Sequence, residues 1–272
     1  MSLTRFAGLT CFVLMSATMF GCSSGESEQE QGADPVGQVE TPEVTPEVEE
    51  PVVEPKQDDD PEAITKIEDM YGEAYKDDDG FVTTVDFGGA FGEKVDLSVL
   101  KGVPNTEKLV LNGADVSDED LVHLKELKSL KSLDLGETRV SDAGMELLLE
   151  VPSLEEINLQ RTDVTDAGLG TLLQLENLKR FKMVRCKISN DGLALLKDRT
   201  DIVLLDLKEC INISDEGLKH VAGIKSLKFL RVWGSQITDA GMAHITGLSS
   251  LVHLGLDDTR VGDEGLLSLI HI

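Results

Sequence analysis

From Val85 onward, apolar residues come in pairs two positions apart, and the pairs recur at a fixed step. The first members are Val85, Leu109, Leu133, Ile157, Phe181, Leu205, Leu230 and Leu254. The second members are Phe87, Leu111, Leu135, Leu159, Met183, Leu207, Val232 and Leu256. Alternation with period two marks a strand with one buried face. The step is about 24 residues, a length that signals stacked supersecondary units. One step is longer, where Cys210-Ile211-Asn212-Ile213-Ser214 replaces the usual spacing.

After each pair the sequence turns, places one Val or Ile (Val116, Val140, Val164, Ile188, Ile213, Ile237, Val261), and opens a second run. That run begins Ser/Thr-Asp-x-Gly-Leu/Met. The hydroxyl suits a helix N-cap, and the next Asp sits where the helix dipole favours negative charge. Leu169, Leu172 and Leu175 then share one helical face. Each repeat therefore reads as strand, turn, capped helix and return. A single repeat cannot bury its apolar face, whereas stacked neighbours can, with parallel strands about 4.8 Å apart. Helices are wider than strands, so the stack is expected to bend with the sheet on its concave side.

The pattern L-x-x-L-x-L-x-x-T/C-x-V-T/S-D-x-G-L resembles the leucine-rich repeat family in its cysteine-containing-like form. The resemblance runs from about Gly80 to the end. It implies an α/β solenoid, a curved horseshoe segment of about eight repeats over 85–272, the last incomplete.

The segments before the repeats are of other kinds. Arg5 precedes an apolar stretch from Phe6 to Phe20, too short for a comfortable membrane span. Met19-Phe20-Gly21-Cys22 resembles a bacterial lipobox, although Met19 and Phe20 depart from its usual residues. Residues 1–22 read as a lipoprotein-type signal with Cys22 the lipidated residue; the alternative is an ordinary secretory signal. Ser23 after the Cys leans toward the outer membrane. Residues 23–61 interleave Pro35, Pro42, Pro46, Pro51 and Pro55 with acidic residues and read as a disordered tether. The tether carries much of the net charge of -26, which argues against nucleic acid as a partner. Residues 62–84 read as a capping helix, over Glu62 to Tyr75, and a turn. Asp77-Asp78-Asp79-Gly80 lacks the ordered spacing of a calcium loop and suits a solvated turn better. At the far end Ile272 occupies the column of Leu175 and Leu248, with no polar closing repeat.

Little in the repeats points to catalysis. Cys186 and Cys210 share the column of Thr138, Thr162, Ser235 and Thr259. Their Cα atoms should lie about 5 Å apart, within disulfide range, but their side chains run parallel, which disfavours a bridge. His123, His220 and His244 share a column without the further ligands a metal site needs. No nucleophile set, phosphate loop or paired carboxylates stand outside the repeat columns. Asp142, Asp166, Asp215, Asp239 and Asp263 read as helix caps, and Gly144, Gly168, Gly192, Gly217, Gly241 and Gly265 as packing positions. Arg199 falls in the apolar column of Leu175 and Ile224, so a distorted return with an outward guanidinium is expected.

Function is then expected on the open sheet face. Its candidate ligand residues are Arg161, Arg180, Lys182, Arg185, Lys208, Phe229, Arg231 and Trp233, with Asp206 and Glu209 interrupting the basic patch. Trp, Phe and Arg are the types enriched at interface hot spots. The expectation is a non-catalytic binding module without cofactor or metal. It would be anchored at the cell envelope by lipid and would recognise a protein or an anionic polysaccharide. The patch also suits the protein's own acidic tether. The alternative is an assembly protein that self-associates through its last repeat. Similar repeats resemble the substrate-binding half of F-box adaptors, but F-box helices are missing here.

Overall fold

The computed structural model describes residues 55–270. The signal with Cys11 and Cys22, most of the tether and Ile272 lie outside the described residues. Among the described residues nine strands form one sheet in chain order, each beside the next. They are β1 (Glu73–Lys76), β2 (Val82–Asp86), β3 (Lys108–Val110), β4 (Ser132–Asp134), β5 (Glu156–Asn158), β6 (Arg180–Lys182), β7 (Leu204–Asp206), β8 (Phe229–Trp233) and β9 (His253–Asp257). From β2 onward every pairing is parallel and every column stays in register, Leu109 beside Leu133, Leu133 beside Ile157, Ile157 beside Phe181. The second layer is built from α2 (Asp142–Leu147), α3 (Asp166–Leu172), α4 (Asn190–Ala194), α5 (Asp215–Val221), α6 (Asp239–Ile245) and α7 (Asp263–Ser268), each packed on the next. Earlier returns, Leu97–Gly102 and Asp118–Glu126, are 3-10 turns rather than the α-helices the pattern suggests. In the second of these Asp120 holds the glycine column, and its carboxylate accepts from the Ser117 N–H and hydroxyl, both at 2.9 Å.

The core is the space between the layers. In one repeat Ile157, Leu159, Val164, Leu169, Leu172, Leu175 and Leu178 are all buried, and the same columns are buried in the repeats on either side except where Arg199 replaces the leucine. Replacing one of these leucines with Ala removes buried methyl groups and leaves a cavity, at a cost on the order of 3 kcal/mol.

The N-terminal segment departs from the expected helix through Tyr75. Helix α1 (Pro61–Asp69) starts with Asp60 as N-cap, its carboxylate accepting from the Glu62 N–H. It ends in a Schellman motif: Tyr71 adopts the left-handed conformation (φ 60), its N–H bonds the Glu68 carbonyl, and the Gly72 N–H bonds the Ile67 carbonyl. Gly72 cannot carry a side chain, because a Cβ would collide with Phe87 and Ile67. Tyr75 belongs instead to β1, which pairs antiparallel with β2. The aspartate triplet is the turn between them. Asp77 accepts from the Asp79 and Phe81 N–H groups and pairs with Lys56, whose hydrogen bond holds its carboxyl below the usual range.

The Ser/Thr-Asp-x-Gly motif works between repeats as well as within them. Ser141, Thr165, Ser189 and Thr238 accept from the backbone two residues on, as N-caps do. Each also donates its hydroxyl to the aspartate one repeat earlier: Thr165 to Asp142 at 2.6 Å and Thr238 to Asp215 at 2.6 Å. The same carboxylates accept the backbone N–H of Thr165 (2.7 Å) and Thr238 (2.8 Å). Gly144, Gly168, Gly192, Gly217, Gly241 and Gly265 make room for this, since a Cβ at any of them would collide with the incoming Oδ1. Asn190 takes one aspartate place and still serves, donating to Ser214 Oγ and accepting from its N–H.

Arg199 reverses its expected direction. Its guanidinium turns inward, with the side chain only 14% exposed. Nη1 donates to the Leu173 and Leu175 carbonyls, Nη2 to that of Leu178, and Nε to Asp201 at 2.8 Å. Three carbonyls of the previous return converge at this point, and a planar fork of N–H groups reaches them together.

Candidate functional site

Strand register sorts the outward side chains into columns running across the sheet. One holds Glu156, Arg180, Leu204, Phe229 and His253; the next holds Asn158, Lys182, Asp206, Arg231 and Gly255. Val184 and Lys208, just past their strands, and Trp233 at the end of β8 follow, then a column in the left-handed conformation: Glu137, Arg161, Arg185, Glu209 and Asp258, with Gly113 and Gly234 in the same place. There the chain turns away from the sheet, and the freed N–H bonds the next repeat, Arg161 to the Val184 carbonyl and Arg185 to that of Lys208. Arg161 and Arg185 thus project from turns, whereas Arg180, Lys182 and Arg231 project from strands.

The basic residues foreseen here do gather, but not as a free cationic strip. Arg161 pairs with Glu137 (2.8 Å), Lys182 with Glu156 (2.5 Å), Arg231 with Asp206 (3.1 Å), Arg180 with Glu155 (3.7 Å) and Arg185 with Glu209 (4.0 Å). Each partner stands one repeat away or just before the strand, so the charges alternate across the sheet. Exposed pairs of this kind are worth about 0–1 kcal/mol each, so they organise the surface more than they hold the fold. Lys208 makes no ion pair among the described residues. It borders a polar hollow of about 290 Å³ with Arg161, Lys182, Arg231, Asp206 and Glu209.

Aromatic and aliphatic residues flank this hollow. On one side Phe229 stacks on His253, ring centres 5.6 Å apart, beside Leu204 in a hollow of about 260 Å³. On the other, the half-buried Trp233 donates its Nε1–H to Asp258 at 2.8 Å. Beside it stands Ile211, 64% exposed. Ile211 was not among the residues foreseen, although the longer step at 210–214 was its signal: the extra residue has no place in the core column and protrudes.

The cysteines among the described residues, Cys186 and Cys210, are free thiols. Each donates to a carbonyl of the repeat before, Cys186 to Leu159 and Cys210 to Met183, both at 3.0 Å. Burial pushes Cys186 to about 11 and Cys210 to about 12, so both stay protonated at neutral pH. Among the described residues no three His, Cys, Asp or Glu side chains gather as a metal site needs, and no described helix is long and apolar enough to cross a membrane.

Residues 126–149 and 152–173 match the family profile described as Leucine Rich repeat. No curated protein matches the chain in sequence. Among solved structures it is similar to an internalin (inlF) from Listeria monocytogenes, at 19% identity and TM-score 0.42, covering 65% of this chain and 69% of that one. An internalin C2 (inlC2) from the same organism gives 22% identity and TM-score 0.47, over 64% of this chain and 80% of that one. The Arabidopsis receptor kinase HAESA LRR ectodomain, solved with an N-terminally extended IDA peptide hormone ligand, gives 19% and 0.47, over 69% of this chain and only 36% of its own. The in-register parallel sheet, the helical second layer and the two matched repeats together make this fold an α/β leucine-rich repeat solenoid.

Proposed function

We propose that the chain is a non-catalytic binding module, exported and held at the cell envelope by lipid on Cys22. Its repeats recognise a protein, or a polysaccharide, through the sheet face around Arg161, Arg180, Lys182, Arg185, Lys208, Phe229, Arg231 and Trp233. One observation carries this reading. The only Trp of the chain lies on that face with its N–H already satisfied by Asp258, so its ring is held in place at the surface. A half-buried aromatic ring fixed at a surface in this way suits the centre of a recognition patch. Repeat stacks offer such extended faces without needing a catalytic cavity.

A pull-down from envelope extract with the repeats, beside a Trp233→Ala/Arg231→Ala double variant, tests the reading. Losing a hot-spot pair costs about 2 kcal/mol or more, enough to release a micromolar partner. A partner kept equally by both proteins moves the site off this face. Labelling with palmitate, abolished in Cys22→Ala, tests the anchor separately.

A second reading, assembly through the last repeat, is favoured by the apolar side chains of β9 and α7. Val252, Leu266, Leu267 and Ile270 are exposed, and Leu254 and Leu256 are only half-buried, unlike the same columns elsewhere. Light scattering that reports a monomer at all concentrations removes it.

A further inference from the structure

We propose that the groove between Ile211 and Trp233 seats an extended segment of a basic protein, with an aliphatic side chain on the Ile211–Trp233 surface and a Lys or Arg directed to Asp257 and Asp258. This deepens the reading of the chain as a binding module and rests on it.

The extra residue between β7 and β8 is the starting point. Ile213, two positions on, fills the core column, while Ile211 is expelled. The backbone that carries it is nonetheless held: its carbonyl accepts from Gln236 Nε2 at 3.1 Å, and Asn212 bridges to Ser189. An apolar side chain displayed from a fixed backbone loses little freedom on binding, which favours affinity. Two hollows, of about 340 and 430 Å³, are both bordered by Trp233 and Ile211.

The chemistry of the walls selects the occupant. Trp233 has spent its N–H on Asp258, so the ring offers only its apolar and π surface, which suits aliphatic groups and cations. Arg185 and Lys187 at the other wall already face Glu209 and Asp163. Asp257 and Asp258 are different. Unlike Glu137, Glu156 and Asp206, they meet no cation among the described residues. The groove therefore has an apolar floor and one unpaired acidic end. The net charge of -26 adds a long-range pull on cationic partners and a push on acidic ones.

The test selects a phage-displayed random-peptide library on the full chain and titrates the selected peptides while following the emission of Trp233, the chain's one Trp. Peptides that join an aliphatic residue to Lys or Arg and shift that emission are expected. They should bind about tenfold or more weakly to Ile211→Ser and to Asp257→Asn/Asp258→Asn, and the second variant should also flatten the salt dependence. Ile211 is exposed and the Asn changes conserve shape, so these variants keep the fold. Acidic peptides, or equal binding to Ile211→Ser, overturn the proposal. Peptides lost only on Lys182→Ala/Lys208→Ala overturn the groove but leave the binding-module reading standing. No enrichment on any of these proteins overturns both.

Discussion

Arg199 shows how one side chain can serve a repeat whose sequence has lost an apolar residue. Its fork ties together the carbonyls of Leu173, Leu175 and Leu178, the second of which also accepts from the Leu178 N–H. Arg199→Ala is expected to cost about 2 kcal/mol or more, because charged hydrogen bonds are lost and acceptors are stranded. Chemical denaturation measures this, and an unchanged midpoint would show the fork to be ornamental. Asp201 adds a pH signature. The Arg199 hydrogen bond lowers its carboxyl pKa in the folded state, so its contribution is present above the unfolded value and fades as pH falls through the depressed one. Asp201→Asn should therefore remove part of the stability loss seen at acid pH while leaving that loss elsewhere unchanged. The two cysteines give a further residue-scale expectation. Thiols raised to about 11 and about 12 by burial carry almost no thiolate at neutral pH. Iodoacetamide, mapped by mass spectrometry, should leave Cys186 and Cys210 unmodified in the native protein and label both once it unfolds.

At the scale of the element, the helix start belongs to two repeats at once. Asp142 completes the cap of α3, and Asp166 that of α4, where Ser189 gives it both its N–H and its hydroxyl. Intrinsic propensity favours Ala over Gly within a helix by about 1 kcal/mol. At Gly168 the sign should reverse, because the new methyl meets the Asp142 carboxylate and Val164; an overpacked site of this kind costs about 1–3 kcal/mol. Asp166→Asn should be nearly silent, since Asn190 does the same work one repeat later, whereas Asp166→Ala should not. Thermal melts of these variants decide the matter: a stabilised Gly168→Ala would sink the clash argument.

Across the whole molecule, what the sequence discloses and what it hides divide along repetition. The inward pairs, the Val or Ile of each turn and the glycine column recur, so their burial could be read from spacing alone, and from Val85 to Val232 the pairs are buried. Features present once could not. The β1–β2 hairpin has no copy to compare, and β1 alternates too little apolar character to declare itself. The direction of Arg199 depended on which carbonyls lay within its reach. The charge pattern of the sheet face was half visible. Arg161 and Glu137 are plainly one period apart in sequence, yet only the register brings them to 2.8 Å and turns a basic patch into a lattice of pairs. Ile211 lay hidden for a related reason: the sequence shows an extra residue but not which one leaves the core.

The carboxylate that reaches from each helix start to the next makes one junction interchangeable with another. Excising 157–180 would bring Asp142 to Ser189 and Gly192, and Glu137 beside Arg185, so the cap contacts find chemically equivalent replacements, whereas surface pairs such as Lys187 with Asp163 do not. The shortened chain is expected to fold with a cooperative melt, shorter by one strand spacing of about 4.8 Å. An excision one residue shorter would leave a step as long as that from Leu205 to Leu230, and the extra residue should be expelled to the surface as Ile211 is. The molecule is thus measured out in whole repeats, and it can lose length by copy number without having to redesign its interior.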